Sequence, residues 1–219
     1  GINKSHLNQN KKSKTTNQIE ALYKKKKTII TSSLNTKQVI LLLGKATIGY
    51  DNESDILLRL ISCYLGYGMS SLLFKVLREK YGVVYEAGIY HPIRENKTPF
   101  IMHASTTEDK ATFTLKLLKE CWEKIIDSEI SKEELDLVKI KYRGQMAHSL
   151  QSISQKAEHS AHLLGIGLTR DHDKKNLLRL DSINSKEIKK AANLYLKEPF
   201  LSVCSNKKVI EKIRKDWDH

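Results

Sequence analysis

Several absences narrow the possibilities before any motif is read. No apolar run approaches the ~20 residues that a helix needs to cross a bilayer, so no membrane span is expected. No secretory signal pattern opens the chain. Its three cysteines, Cys63, Cys121 and Cys204, are odd in number and far apart, with no Cys-x-x-Cys clip. That argues against a disulfide framework or a zinc clip. Cys63 lies in a helical apolar pattern and Cys204 in a terminal strand pattern, so both read as buried small apolar residues. A soluble protein of a reducing compartment, the cytoplasm, is the expectation. The glycines at 66 and 68 lack the spacing of a dinucleotide or phosphate fingerprint. No internal repeat is visible.

A net charge of +13 invites a nucleic-acid or anionic-surface partner, but its distribution argues against one. Residues 1–27 hold eight lysines against one glutamate, and polar basic segments of this kind are usually solvated. The rest mixes charges of both signs, with no basic stripe interleaved with aromatics. Nucleic acid is therefore not an expected partner. Residues 1–27 are read as a lysine-rich linker or lead, within which Ile19–Tyr23 is a short apolar island, and 28–219 as a single domain.

What is present has an order. The 219 residues, 40% hydrophobic and 29% charged, suffice for an adequate core. Thr28–Thr31 reads as a short strand, and Gln38–Gly44 has the continuous apolar character of a strand buried on both faces. Ile56, Leu57, Leu60, Ile61 and Tyr64 follow at helical spacing after a capping turn at Asp51–Asp55. Val83–His91 and Phe100–Ser105 read as a hairpin around Glu95–Lys97, with Pro99 at the start of its second strand. From Glu108 the period becomes 3.6, with Leu115, Leu118, Trp122 and Ile125 in one stripe. Ser131–Glu134 is a capping box ahead of Leu135, Val138, Tyr142 and Met146. Helices over 152–168, 171–180 and 185–196, a strand over 200–204 and a terminal helix over 207–217 complete the chain. Strands and helices are segregated rather than alternating. The fold class expected is α+β, a mostly antiparallel sheet of four to five strands with helices packed on one face.

The stretch from Gly66 to Tyr85 is the most informative. A flexible glycine pair leads into a short helix with Leu72, Leu73, Val76 and Leu77 on one side. Arg78 stands near its end and points away from that side. Gly82 breaks the helix and Val83-Val84-Tyr85 opens a strand, so a cation and a phenol meet across a tight helix-to-strand turn. Two readings of each stay open on spacing alone. Arg78 is either a solvated cation favoured by the helix dipole or a functional donor. Tyr85 is either core, sharing parity with Val83, Ala87 and Ile89, or a second donor. Gly66, Gly68, Met69 and Ser70 form either a helix-to-helix turn or a substrate contact.

These residues carry a resemblance. Leu65–Phe74 resembles the "LGGGMSSRLF" segment of the insulinase/pitrilysin-type zinc metallopeptidases, which include mitochondrial processing peptidase and the core proteins of the cytochrome bc1 complex. Leu77–Tyr85 is similar to their "LREKRGLAY" segment, and Ser131–Lys139 resembles "TEEELERAK". The likeness runs from about Gln38 to Val203 and is to the second, zinc-free half of the family's unit. It implies a domain that closes over a zinc-bearing domain or subunit and binds an extended peptide. Arg78 and Tyr85 would then hydrogen-bond the substrate carbonyl and its developing oxyanion.

The metal-binding pattern of that family, two histidines one helical turn apart with a glutamate between them, is missing. The nearest approach is His159-Ser160-Ala161-His162, at the wrong spacing and without an intervening glutamate. His91 and His103 lie in the strand region without a partner at ligand spacing, and His6, His148, His172 and His219 are isolated. No metal site or cofactor is expected within this chain. Zinc is expected on a partner, and this chain is not expected to hydrolyse peptides alone. Two other readings remain: a catalytically inert structural relative of the core-protein kind, and a basic module for nucleic acid or anionic surfaces.

Overall fold

Side-chain alternation along one long strand sets the architecture. In the computed structural model, which describes residues 28–217, β2 (Gln38–Ile48) turns Val39, Leu41 and Leu43 inward to full burial. Its partner β4 (Lys97–Thr107) does the same with Phe100, Met102 and Ala104. The two run antiparallel over eleven paired residues, from Gln38 opposite Thr107 to Ile48 opposite Lys97. β3 (Glu86–Tyr90) pairs antiparallel with β4. β5 (Phe200–Ser205) pairs antiparallel with β2. β1 (Ile29–Ser33) closes the sheet parallel to β5. The order is β1-β5-β2-β4-β3: five strands, mixed but mostly antiparallel.

The helices pack on the inner face. α1 (Asp55–Gly66) and α2 (Ala111–Asp127) are apolar on the core side, and Trp122, Leu118 and Ile61 are essentially fully buried. The Trp122 indole N–H donates to the Leu196 carbonyl at 2.9 Å, which satisfies its one polar atom. α3 (Lys132–Ser149), α4 (Ile153–Gly165) and α6 (Ser185–Tyr195) each open with a complete capping box, built on Ser131–Glu134, Ser152–Gln155 and Asn184–Glu187. α5 (His172–Arg179) and α7 (Lys207–Trp217) complete the set.

The expected α+β class and one-sided helical layer are what the structure has. Some expectations need correction. Among the described residues Gln38–Gly44 is covered on one face only: Ile40 is 40% exposed and Leu42 half-buried on the other. Cys204 points to that same open side and is half-buried, whereas Cys63 and Cys121 are buried. Regular β3 begins at Glu86 rather than Val83, because Val83 is drawn into the helix-ending turn. Pro99 is the third residue of β4 and is tolerated there because β3, which reaches only to Ile101, leaves its missing donor without a strand to serve. The segment 1–27, with its Ile19–Tyr23 island, lies outside the described residues.

Candidate functional site

The Gly66–Tyr85 segment is held at both ends and braced in the middle. Gly66 is the last residue of α1. A Cβ there would come within 2.9 Å of the Ile89 backbone nitrogen and Cγ1, so its lack of a side chain lets α1 pass against β3. Gly68 has φ +75° with open space around it. Its requirement is conformational rather than steric. Ser71 is buried, and its hydroxyl accepts from the Phe74 N–H at 3.4 Å.

From Phe74 to Lys80 the backbone is a π-helix rather than the α-helix the spacing suggests, a geometry often found at functional sites. Leu73 and Leu77 anchor it in the core. Gly82, at φ +57°, takes the left-handed turn that ends it, and the Val83 N–H closes back onto the Leu77 carbonyl at 2.9 Å. Three side chains then brace the turn. Lys110 Nζ donates to the Gly82 carbonyl at 3.1 Å. Buried Thr106 donates to the Val83 carbonyl at 2.5 Å, and Thr114 donates to the Thr106 hydroxyl at 3.3 Å. The Tyr85 N–H bonds the Ser105 carbonyl at 2.9 Å.

The result is a rigid turn with two exposed donors. Arg78 is exposed, and its guanidinium lies 5.5 Å from the centre of the Phe74 ring. Tyr85 is 66% exposed, so it is not the core residue that its parity with Val83 allowed. Among the described residues neither the Arg78 guanidinium nor the Tyr85 hydroxyl has a hydrogen-bond partner, and no hydrogen bond or cation–π contact joins the two. Met69 is 74% exposed. Ser70 lines a shallow pocket of about 50 Å³ with Tyr64, Lys75 and Glu134. That pocket does not include Arg78 or Tyr85, so the loop residues and the two donors form separate features.

Two largely buried polar clusters lie elsewhere in the fold. Asp55 accepts from Arg59 Nε at 2.5 Å and meets His91 Nε2 at 3.0 Å, while His91 Nδ1 faces the Pro99 carbonyl at 3.1 Å. Asp173 accepts from the Tyr50 hydroxyl and meets His159. Burial first, then the neighbouring Tyr142 and Asp173, pushes the Tyr50 phenol far above its ordinary pKa. These residues come from α1, α4, α5 and the β2–α1 and β3–β4 connections, and apart from the i, i+4 pair of Asp55 and Arg59 no short-range spacing announces them. His159 is thus spoken for, and His162 is exposed. Among the described residues no group of three or more His, Cys, Asp or Glu is placed to hold a metal ion, and the pair does not fit a zinc site.

The fold is shared with solved structures. The peptidase M16 inactive domain from Pseudomonas fluorescens superposes with a TM-score of 0.70 at 20% identity, covering 82% of this chain and 43% of that one. A protease from Helicobacter pylori gives 0.70 at 19% identity, over 81% of this chain and 43% of its own. At these identities the likeness defines the class of fold, that of a peptidase inactive domain. The sequence takes the second step: the family described as the peptidase M16 inactive domain matches residues 3–142, and the chain belongs to it. A Rickettsia felis protein described as an uncharacterized zinc protease is 31% identical over 123 residues, 56% of this chain and 30% of its own length. The matches thus span less than half of each of these proteins. Among the described residues no helix is long and apolar enough to cross a membrane.

Proposed function

We propose that this chain acts as the zinc-free half of a metallopeptidase, closing over a zinc-bearing domain or subunit and presenting Arg78 and Tyr85 to a bound peptide. One observation carries the reading. Both donors are exposed, have no hydrogen-bond partner among the described residues, and flank a turn braced by Lys110, Thr106 and Thr114. Arg78 is set on a π-helix ended by a left-handed glycine, a backbone geometry often found at functional sites.

In this reading the metal chemistry belongs to the partner, and among the described residues of this chain no cluster fits the ion. What this chain contributes is electrostatic. As an amide carbonyl is attacked, negative charge grows on its oxygen, and a guanidinium and a phenolic O–H aimed at that oxygen hold it more tightly in the transition state than in the ground state. Because the donors sit on a separate unit, they reach the reacting atom only when the two units close. Gly66, Gly68, Met69 and Ser70, a feature separate from the two donors, are assigned a second contact with the peptide.

The reading is tested by reconstitution with the zinc-bearing partner. Peptide hydrolysis is expected from the assembly and not from this chain alone. Arg78→Lys is expected to restore little of the activity lost in Arg78→Ala, because an ammonium lacks the planar fork of the guanidinium. A purely structural role predicts the opposite: variants that weaken assembly or stability while the assembled enzyme works at the wild-type rate.

A further inference from the structure

On the helical side, α2, α7 and the α6–β5 connection enclose a groove of about 300 Å³ whose apolar lining is Trp122, Ile126, Pro199 and Trp217. Trp122 is buried, and its N–H is spent on the Leu196 carbonyl. Trp217 and Pro199 are only half-buried. The Lys119 ammonium lies 5.3 Å from the Trp217 ring centre. Indole, proline ring and isoleucine side by side form a surface that gains by excluding water.

The start of β1 indicates what covers it. Trp217 Nε1 donates to the Thr28 hydroxyl at 2.9 Å, and the Leu201 N–H donates to the Thr28 carbonyl at 2.7 Å. β1 runs parallel to β5, with Ile29 opposite Leu201, so both strands enter the sheet at the same end. The chain before Thr28 therefore arrives beside Lys197–Pro199, one wall of the groove. Four residues, Lys24–Lys27, separate Thr28 from the apolar island Ile19–Tyr23, a reach of at most about 17 Å from Tyr23. Ile19, Leu22 and Tyr23 stand at i, i+3 and i+4 in the sequence, the spacing of anchors that enter one groove together. The stretch matched by the family begins at residue 3, so the island lies inside the matched unit.

We propose that this groove seats the lead segment of the same chain, with Leu22 and Tyr23 against Trp217 and Pro199, and Ile19 completing the contact. The charges at the rim agree. Glu123 and Glu198 border the groove, and among the described residues neither is paired with a cation. The Lys24–Lys27 run supplies that charge, and Glu20, the one carboxylate of the lead, is available to the equally unpaired Lys197. Tethering decides between this occupant and a free one. A linker of four residues holds the island at an effective concentration on the order of millimolar, above that of a second copy in dilute solution. The seat makes no use of Arg78 or Tyr85 and goes beyond the reading of this chain as half of a metallopeptidase.

The test is acrylamide quenching of tryptophan fluorescence in the full natural gene product. The signal of Trp217 is taken as the difference between the parent and Trp217→Phe, which removes the contribution of every other indole. Leu22→Ser with Tyr23→Ser is expected to raise the quenching constant of Trp217 about threefold or more, with the protein still folded by circular dichroism. Leu22→Met with Tyr23→Phe keeps the apolar contact and is expected to quench as the parent does. Equal constants in the parent and the double serine variant would overturn the proposal. So would protection of Trp217 in the parent that fades on dilution, which marks a second copy as the occupant. Neither Arg78 nor Tyr85 enters this readout, so its failure leaves the catalytic reading untouched, and a fully active Arg78→Ala enzyme leaves the seat untouched.

Discussion

Gly66→Ala is expected to destabilise the fold by about 1–3 kcal/mol, the usual cost of forcing extra atoms into a packed contact. The structure identifies where the cost arises. The new Cβ would lie 2.9 Å from both the Cγ1 and the backbone nitrogen of Ile89. The methylene can swing aside, but the nitrogen is fixed by the pairing of Ile89 with Met102. Alanine's helix propensity offsets little of this at the last residue of α1, where Tyr67 is already extended. For a domain of this size each kcal/mol corresponds to about 2–4 °C in melting temperature, so a loss of about 2–12 °C is expected by thermal denaturation. Adding Ile89→Ala removes the side-chain half of the clash and leaves the backbone half, so the double variant is expected to stay below wild type. If Gly66→Ala alone melts within about 1 °C of wild type, α1 is not clamped to β3 as described.

Other outcomes follow from the buried groups. Burial raises the thiols of Cys63 and Cys121 from an ordinary 9.0 to about 11. Each therefore contributes stability that is whole below pH 9 and is lost as pH climbs through 11, on the order of 2–3 kcal/mol per thiol. Melting temperature is expected to fall more steeply over that range in wild type than in Cys63→Ala/Cys121→Ala, and parallel profiles would show that the thiols do not carry the effect. Asp173→Ala strips Tyr50 and His159 of their shared acceptor, and an orphaned buried hydroxyl costs about 1–3 kcal/mol. Because α4 buries only Leu163, limited proteolysis is expected to cut first within 153–165 in that variant; cleavage unchanged from wild type would mean the cluster does not hold the helix.

Most of the architecture was legible because it rests on local rules. The period change at Glu108, the Ser131 capping box and the stripe through Trp122 each depend on neighbours within a turn or two, and each appears where expected. What the sequence hid depends on distant contacts. The π-register of Phe74–Lys80 and the late start of β3 accompany the Val83–Leu77 and Thr106–Val83 bonds, which no spacing encodes. Asp55–His91 and Tyr50–Asp173 join residues 36 and 123 positions apart. The misjudged burial of β2 is informative in another way. Its composition is that of a doubly covered strand, and the described residues cover it once. Arg78 and Tyr85 were marked by their place across the helix-ending turn and given a role by resemblance, while the brace from Lys110, Thr106 and Thr114 emerged only from the fold.

Arg78 and Tyr85 are proposed to act on a peptide held by an assembly that includes a zinc-bearing partner. The most direct measurement is kcat/KM for peptide hydrolysis by the full assembly carrying Arg78→Ala or Tyr85→Phe, with melting temperature and partner stoichiometry recorded alongside. Each variant is expected to lose about 10²–10³ in rate while both structural readouts stay at wild-type values, since both side chains are exposed and neither is hydrogen-bonded among the described residues. Unchanged hydrolysis, or a decline matched by loss of assembly, would contradict the account.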